Sequence, residues 1–186
     1  MEKKYNNGVK EKERKGRHAY LNDFKLNENN EYEYRGAIYE PQFSNEEKKM
    51  IHIKGGILHL LLSACIILAG WIPYQGLAGS FYVVIPYAFE VIFIAWQYPH
   101  FFRCFFKDSL REYEYRKSAA RIRPFYFVIV FNAALSMIAS LLYGTFNGFE
   151  PVSISLAYSL LQLTCFALAF YLTFVFNGLV YQQKEQ

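Results

Sequence analysis

Four long apolar stretches interrupt an otherwise polar chain, at 51–72, 81–102, 125–143 and 152–176. A helix rising about 1.5 Å per residue needs about 20 such residues to cross a hydrocarbon core of roughly 30 Å. The pattern therefore predicts an all-α integral membrane protein, with four transmembrane helices in an up-down bundle.

The residues between the stretches punctuate them as helices. Ser44 followed by Glu47 has the spacing of a capping box, in which hydroxyl and carboxylate each take a free amide N–H. Pro73 closes the first span and Ser80 is placed to cap the second. Pro124 and Pro151 stand where the third and fourth begin, a position at which a missing N–H costs nothing. Glu150 adds a carboxylate beside a positive helix end.

The polar parts read differently. Residues 1–43 are expected to form a mobile cytosolic tail, because a segment rich in Lys, Glu and Asn buries too little apolar area to offset chain ordering. Within it, 31–43 carries β-favouring residues around Arg35 and Gly36 and predicts a short hairpin, a unit that is marginal by itself in water. The four-helix domain then occupies 44–181, with 103–123 as a basic cytosolic loop. The string EYEYR occurs at 31–35 and again at 112–116, first in the hairpin region and then in a helical extension. Five residues are too few to indicate duplicated architecture.

Composition sharpens the assignment. Of 186 residues 53% are hydrophobic and 19% aromatic, and Glu150 is the only charged residue between 124 and 181. Soluble domains do not distribute charge in this way. Three cysteines without pairable spacing exclude a disulfide scaffold, and nothing before Ile51 resembles the apolar core of a signal peptide, so no cleaved leader is expected. Lys and Arg set the direction of threading: twelve lie in 1–54 and seven in 103–123, against none in 73–80 or 144–151. Basic residues are retained on the cytoplasmic side during insertion. Both termini are thus expected in the cytosol, with the chain in the cell membrane. Arg103, Lys107, Arg111, Arg116, Lys117, Arg121 and Arg123 are expected to meet anionic headgroups or a protein partner. No nucleic-acid partner is expected.

The candidate chemistry lies inside the spans. Glu90 falls near the middle of the second, where a carboxylate costs about 3 kcal/mol and so turns inward, takes a partner or stays protonated. At helical spacing Val83, Glu90, Gln97 and Cys104 share one face. His59 with Ser63 and Gly70, Asn132 with Ser136, Ala139 and Tyr143, and Ser155 with Ser159, Gln162 and Ala169 make comparable stripes on the other spans. Such residues are the ordinary means by which membrane helices pack, since small side chains allow close approach and polar ones bond across. Glu90 stands apart, because Gln would bond as well without an ionisation problem. A proton relay of Glu90 with His59 is the sharper alternative. His52, His59 and His100 lack a short-spaced third ligand, so no metal, haem or other cofactor is expected. Neither a phosphate-binding loop nor a recognised catalytic motif is present.

No motif identifies a family. In span number and in its intramembrane glutamate the chain is similar to the small multidrug transporters, but here the glutamate lies in the second span and a long tail and basic loop are added. Two functions lead the expectations, ahead of an embedded enzyme or redox carrier. One is a non-enzymatic subunit or regulator of a larger membrane complex, such as a transport complex, that meets another membrane protein or a second copy of itself. The other is a small oligomeric proton-coupled transporter that uses Glu90.

Overall fold

The computed structural model describes residues 21, 23–27, 29–149 and 151–184, which divide into two compact units, Met1–Ala37 and Ile38–Gln186. The mobility expected of residues 1–20 and the helix-end role of Glu150 lie outside the described residues.

In the first unit β1 (Phe24–Leu26) and β2 (Tyr32–Tyr34) form an antiparallel pair. The side-chain oxygen of Asn27 accepts from the N–H groups of Asn29 and Glu31 at 3.0 and 2.8 Å, and Asn30 takes a left-handed φ of 61°. Asparagine suits such turns because its short amide mimics a backbone group. The hairpin expected at 31–43 is thereby corrected. The first EYEYR strand pairs backward across this asparagine turn, and Ile38–Pro41 joins a different sheet.

The second unit contains α1 (Asn45–Trp71), a short α2 (Gln75–Gly79), α3 (Phe81–Phe106), α4 (Glu112–Lys117), α5 (Ala119–Asn147) and α6 (Val152–Val175), the last running into a 3-10 turn at Phe176–Gly178. With α4 and α5 taken as one interrupted helix, four helices are long and apolar enough to cross a membrane. The Ser44–Glu47 capping box forms as expected, with both reciprocal bonds present at 3.2 and 3.1 Å. Ser80 occupies the cap position of α3, but its side chain makes no capping bond. The third span starts before Pro124, at Ala119, so the proline lies inside the helix. As the sixth residue of α5, Pro124 offers no N–H to the Ala120 carbonyl, so it removes one bond of the helix without ending it. Helix α5 ends on Gly148, whose φ of 88° and N–H bond to the Gly144 carbonyl at 2.9 Å form a left-handed stop.

The expected basic loop is mostly structured. Helix α3 continues to Phe106, β4 (Leu110–Arg111) follows, and the second EYEYR forms α4. β3 (Ile38–Pro41) lies between β4 and β5 (Tyr181–Gln183), antiparallel to both. This sheet places the segment before α1, the connection after α3 and the strand after α6 at one end of the helices. Tyr39 stacks on Tyr115 at 4.2 Å, Tyr115 meets Tyr181 at 5.8 Å, and Lys184 pairs with Glu40 at 2.9 Å. Burial pushes the Tyr181 hydroxyl above its ordinary pKa.

Within the bundle α5 packs closely on α3 and α6, and α6 on α1, whereas α1 and α3 touch least among these adjacent pairs. The main core joins Leu62, Ile66, Tyr126, Ile129, Cys165 and Leu172 among others. Outward positions carry large apolar side chains such as Trp71, Phe131 and Phe174, as a lipid-facing surface requires. Between α1 and α3 a groove of about 390 Å³ runs past Ile67, Val91 and Ala95.

Candidate functional site: a buried carboxyl at a three-helix junction

The inward face expected of α3 is the observed one: Val83, Glu90, Gln97 and Cys104 are fully buried. The other stripes hold in most members. Ser63, Ser136, Ala139, Ser155, Gln162 and Ala169 are buried, Gly70 is exposed but presents its missing side chain to the Tyr87 ring of α3, and Tyr143 is half-buried.

Glu90 has 0% of its surface exposed. Ser136 of α5 donates its hydroxyl to Oε1 at 2.7 Å. From α6 the Gln162 carboxamide, with its NH₂ turned to the carboxyl group, donates to both oxygens at 3.1 Å. One carboxyl thus joins three helices. Each neutral hydrogen bond contributes about 1 kcal/mol, and about 1.5–3 when one partner is charged. Together they are comparable with the roughly 3 kcal/mol cost of placing a carboxylate at mid-membrane. No cationic partner is required to hold Glu90 here, and its described hydrogen-bond partners include none.

That corrects the expected partnership with His59. The His59 ring nitrogen Nδ1 instead bonds to the Tyr126 hydroxyl at 2.8 Å. Tyr98 meets the imidazole edge-on at 4.4 Å and Phe101 stacks at 6.0 Å, while Nε2 has no hydrogen-bond partner among the described residues. Gln97 belongs to this second layer: its amide donates to the Ile122 carbonyl at 2.7 Å. It lies two helical turns from Glu90, or about 10 Å along α3. Asn132 belongs to neither layer, since its amide is spent on the Val128 carbonyl of its own helix at 2.8 Å. Thr164, a further mid-span polar residue, faces outward and bonds back to Leu160 at 2.8 Å.

A third polar layer lies toward the α1–α3 connection. Tyr74 donates to the Ser140 carbonyl at 3.1 Å and stacks on Tyr158 at 4.6 Å, and Ser140 meets Ser159 at 3.0 Å. Sequence reasoning missed Tyr74, Tyr126 and Tyr158 as interior residues. The signal was available for two of them. Tyr126 precedes Ile129, Ala133 and Ser136 at helical spacing, and Tyr158 falls between Ser155 and Gln162.

At the sheet end the basic residues divide. Lys107 pairs with Glu114, Arg116 pairs with Glu112, and Lys117 bonds to the Tyr113 hydroxyl at 2.6 Å. Arg111 helps to start α4 through its backbone N–H, which bonds to Glu114 at 3.3 Å. Arg103, Arg121 and Arg123 are exposed and form no ion pair among the described residues, with Arg123 resting 5.5 Å over the Phe127 ring. Lys48 is buried and spans the α1 and α3 ends, donating to the Lys107 carbonyl at 2.6 Å and to Asp108 at 3.0 Å. Among the described residues no group of three or more His, Cys, Asp or Glu side chains is arranged to hold a metal ion.

No protein-family model, curated protein or solved structure matches the chain. Its chemistry therefore has to be read from these layers and from the sheet end.

Proposed function

We propose that the chain is a non-enzymatic subunit or regulator of a larger membrane complex. It is an up-down bundle in the cell membrane, with both termini and the 103–123 segment in the cytosol. The observation that supports this best is the structured end of the helices. A sheet draws three separate segments to one end of the helices, where Arg103 in the last turn of α3 and Arg121 and Arg123 near the start of α5 lack acidic partners among the described residues. The excess of Lys and Arg assigns that end to the cytosol. Anionic headgroups and an acidic protein surface are its natural partners. On this reading the buried polar layers hold the bundle together, as cross-helix hydrogen bonds do in membranes.

The test is recovery from membranes in mild detergent. A second membrane polypeptide, or a second copy, should accompany the protein in fixed ratio. It should be lost when Arg103, Arg121 and Arg123 are changed together to Gln, without loss of thermal stability. A monomer with no companion under all mild conditions would end this reading.

One observation favours a second reading. Glu90 is wholly buried at the junction of three helices without a counter-charge in its hydrogen-bonded shell, the setting in which intramembrane carboxyls exchange protons in carriers. A small oligomeric proton-coupled transporter would show proton-driven uptake in vesicles, and Glu90→Gln would abolish it.

A further inference from the structure

The groove between α1 and α3 has a definite depth. On α1 it begins at Trp71, the last residue of the helix, and ends at Ser63, where Tyr98 of α3 donates to the Ser63 hydroxyl at 2.9 Å. That length of helix is about 12 Å, close to half of a hydrocarbon core of roughly 30 Å. Trp71 stands at the edge of the apolar run 51–72, the level that indole rings favour. Beyond Ser63 the seam is closed, because Tyr98 and Phe101 pack on the His59 ring and Phe101 and Phe105 on His52. The groove therefore follows the hydrocarbon of one leaflet, from its edge to about the bilayer centre.

Its chemistry is apolar. Tyr87 donates to the Ile66 carbonyl at 3.1 Å, and Ser63 donates to the His59 carbonyl at 2.8 Å while accepting from Tyr98. With these hydroxyl groups spent, Ile67, Val91, Ile94 and Ala95 supply the surface that an occupant meets. Ile67, Val91 and Ala95 are exposed, so the groove opens sideways rather than into the bundle core. Membrane helices have no hydrophobic drive to close such a gap, and an unfilled one forfeits dispersion contacts along its walls. A partner's helix, about 10 Å across with its side chains, crosses the whole core and would meet the closed aromatic half. A flexible run of methylenes fits the open half alone. We propose that the groove holds one acyl chain of a bilayer phospholipid from the leaflet at the α1–α3 connection, with its ester end near Trp71 and its methyl end near Ser63 and Ala95. The site goes beyond both functional readings and depends on neither.

The probe is phosphatidylcholine carrying a diazirine in one acyl chain, reconstituted with the full protein in nanodiscs and photolysed. A diazirine beside the terminal methyl should label around Ser63 and Ala95, and one beside the ester around Trp71 and Tyr87. One phospholipid per chain should persist in native mass spectra. Ala95→Phe puts a ring in the groove and should lower both labelling and retention about tenfold, as overpacking does. Leu156→Phe, at an exposed position on α6, should change neither. Labels spread evenly over the outward faces of the four helices, or falling in the reverse order of depth, would overturn the site, and the unaltered chain decides this even where Ala95→Phe fails to fold. Disulfide-linked dimers of Ala95→Cys that the unaltered chain does not form, in place of lipid adducts, would give the groove to a second copy and overturn the acyl chain as its occupant.

Discussion

The Ser136 hydroxyl donates to the Glu90 carboxyl across 2.7 Å, linking α5 to α3 in the bundle interior. Gln162 brings α6 to the same carboxyl group, so a single acidic side chain is the acceptor for donors from two other helices.

Removing the acceptor should therefore cost more than removing the charge. Glu90→Gln keeps an oxygen for Ser136, and Gln162 can turn to offer its own oxygen, so a loss within about 1 kcal/mol is expected. Glu90→Leu strands both donors at about 1–3 kcal/mol each. Unfolding of the two variants in one detergent measures the difference, and equal losses would count against the junction.

The Glu90 and His59 layers should behave independently. His59→Phe combined with Glu90→Gln is expected to be additive within about 0.5 kcal/mol, as for sites without shared partners. His59→Phe with Tyr126→Phe should instead couple by about 0.6 kcal/mol, the usual worth of a hydrogen bond between membrane helices. A larger coupling between His59 and Glu90 than between His59 and Tyr126 would restore the relay.

The terminal sheet can be tested covalently. Tyr39 and Gln183 are register partners in β3 and β5, and the Lys184 N–H bonds to the Ile38 carbonyl at 2.8 Å. The alternation of an antiparallel ladder makes 39 and 183 a close, non-hydrogen-bonded pair, which suits a disulfide. Tyr39→Cys with Gln183→Cys should cross-link under mild oxidation, read as a mobility shift reversed by reductant. Tyr39→Cys with Gln75→Cys should not.

Close packing of α1 on the chain after α6 depends on a missing side chain. A Cβ on Gly55 would lie 2.5 Å from the ring tip of Phe176. Gly55→Leu should destabilise by about 1–3 kcal/mol, the range for overpacked interiors, and Phe176→Ala in the same chain should recover part of it. Thermal unfolding of the single and double variants reads this directly.

Reading inward faces from one sequence succeeded where a single period governs, as on α3, where Val83, Glu90, Gln97 and Cys104 all proved buried. It failed at His59, because depth along a helix does not specify which partner lies across the bundle. The asparagine turn at 27–30 was present in the sequence, yet the β-favouring run around Gly36 drew the hairpin to the wrong place. The two EYEYR strings make the point most directly: identical residues form strand β2 and helix α4. Local propensity over five residues is weaker than the surroundings that pair or cap them.

What the sequence determined by itself was the set of four helices long and apolar enough to cross a membrane. Hydrocarbon demands long uncharged runs with internally satisfied backbones, and those runs are visible without any contact information. The tertiary structure alone decided which donors reach Glu90, which hydroxyl meets His59, and that segments as distant as 38–41, 110–111 and 181–183 share one sheet. Those are meetings between residues far apart along the chain, and a hydrogen bond that works over 3 Å is settled only when the helices and strands carrying its two ends have packed.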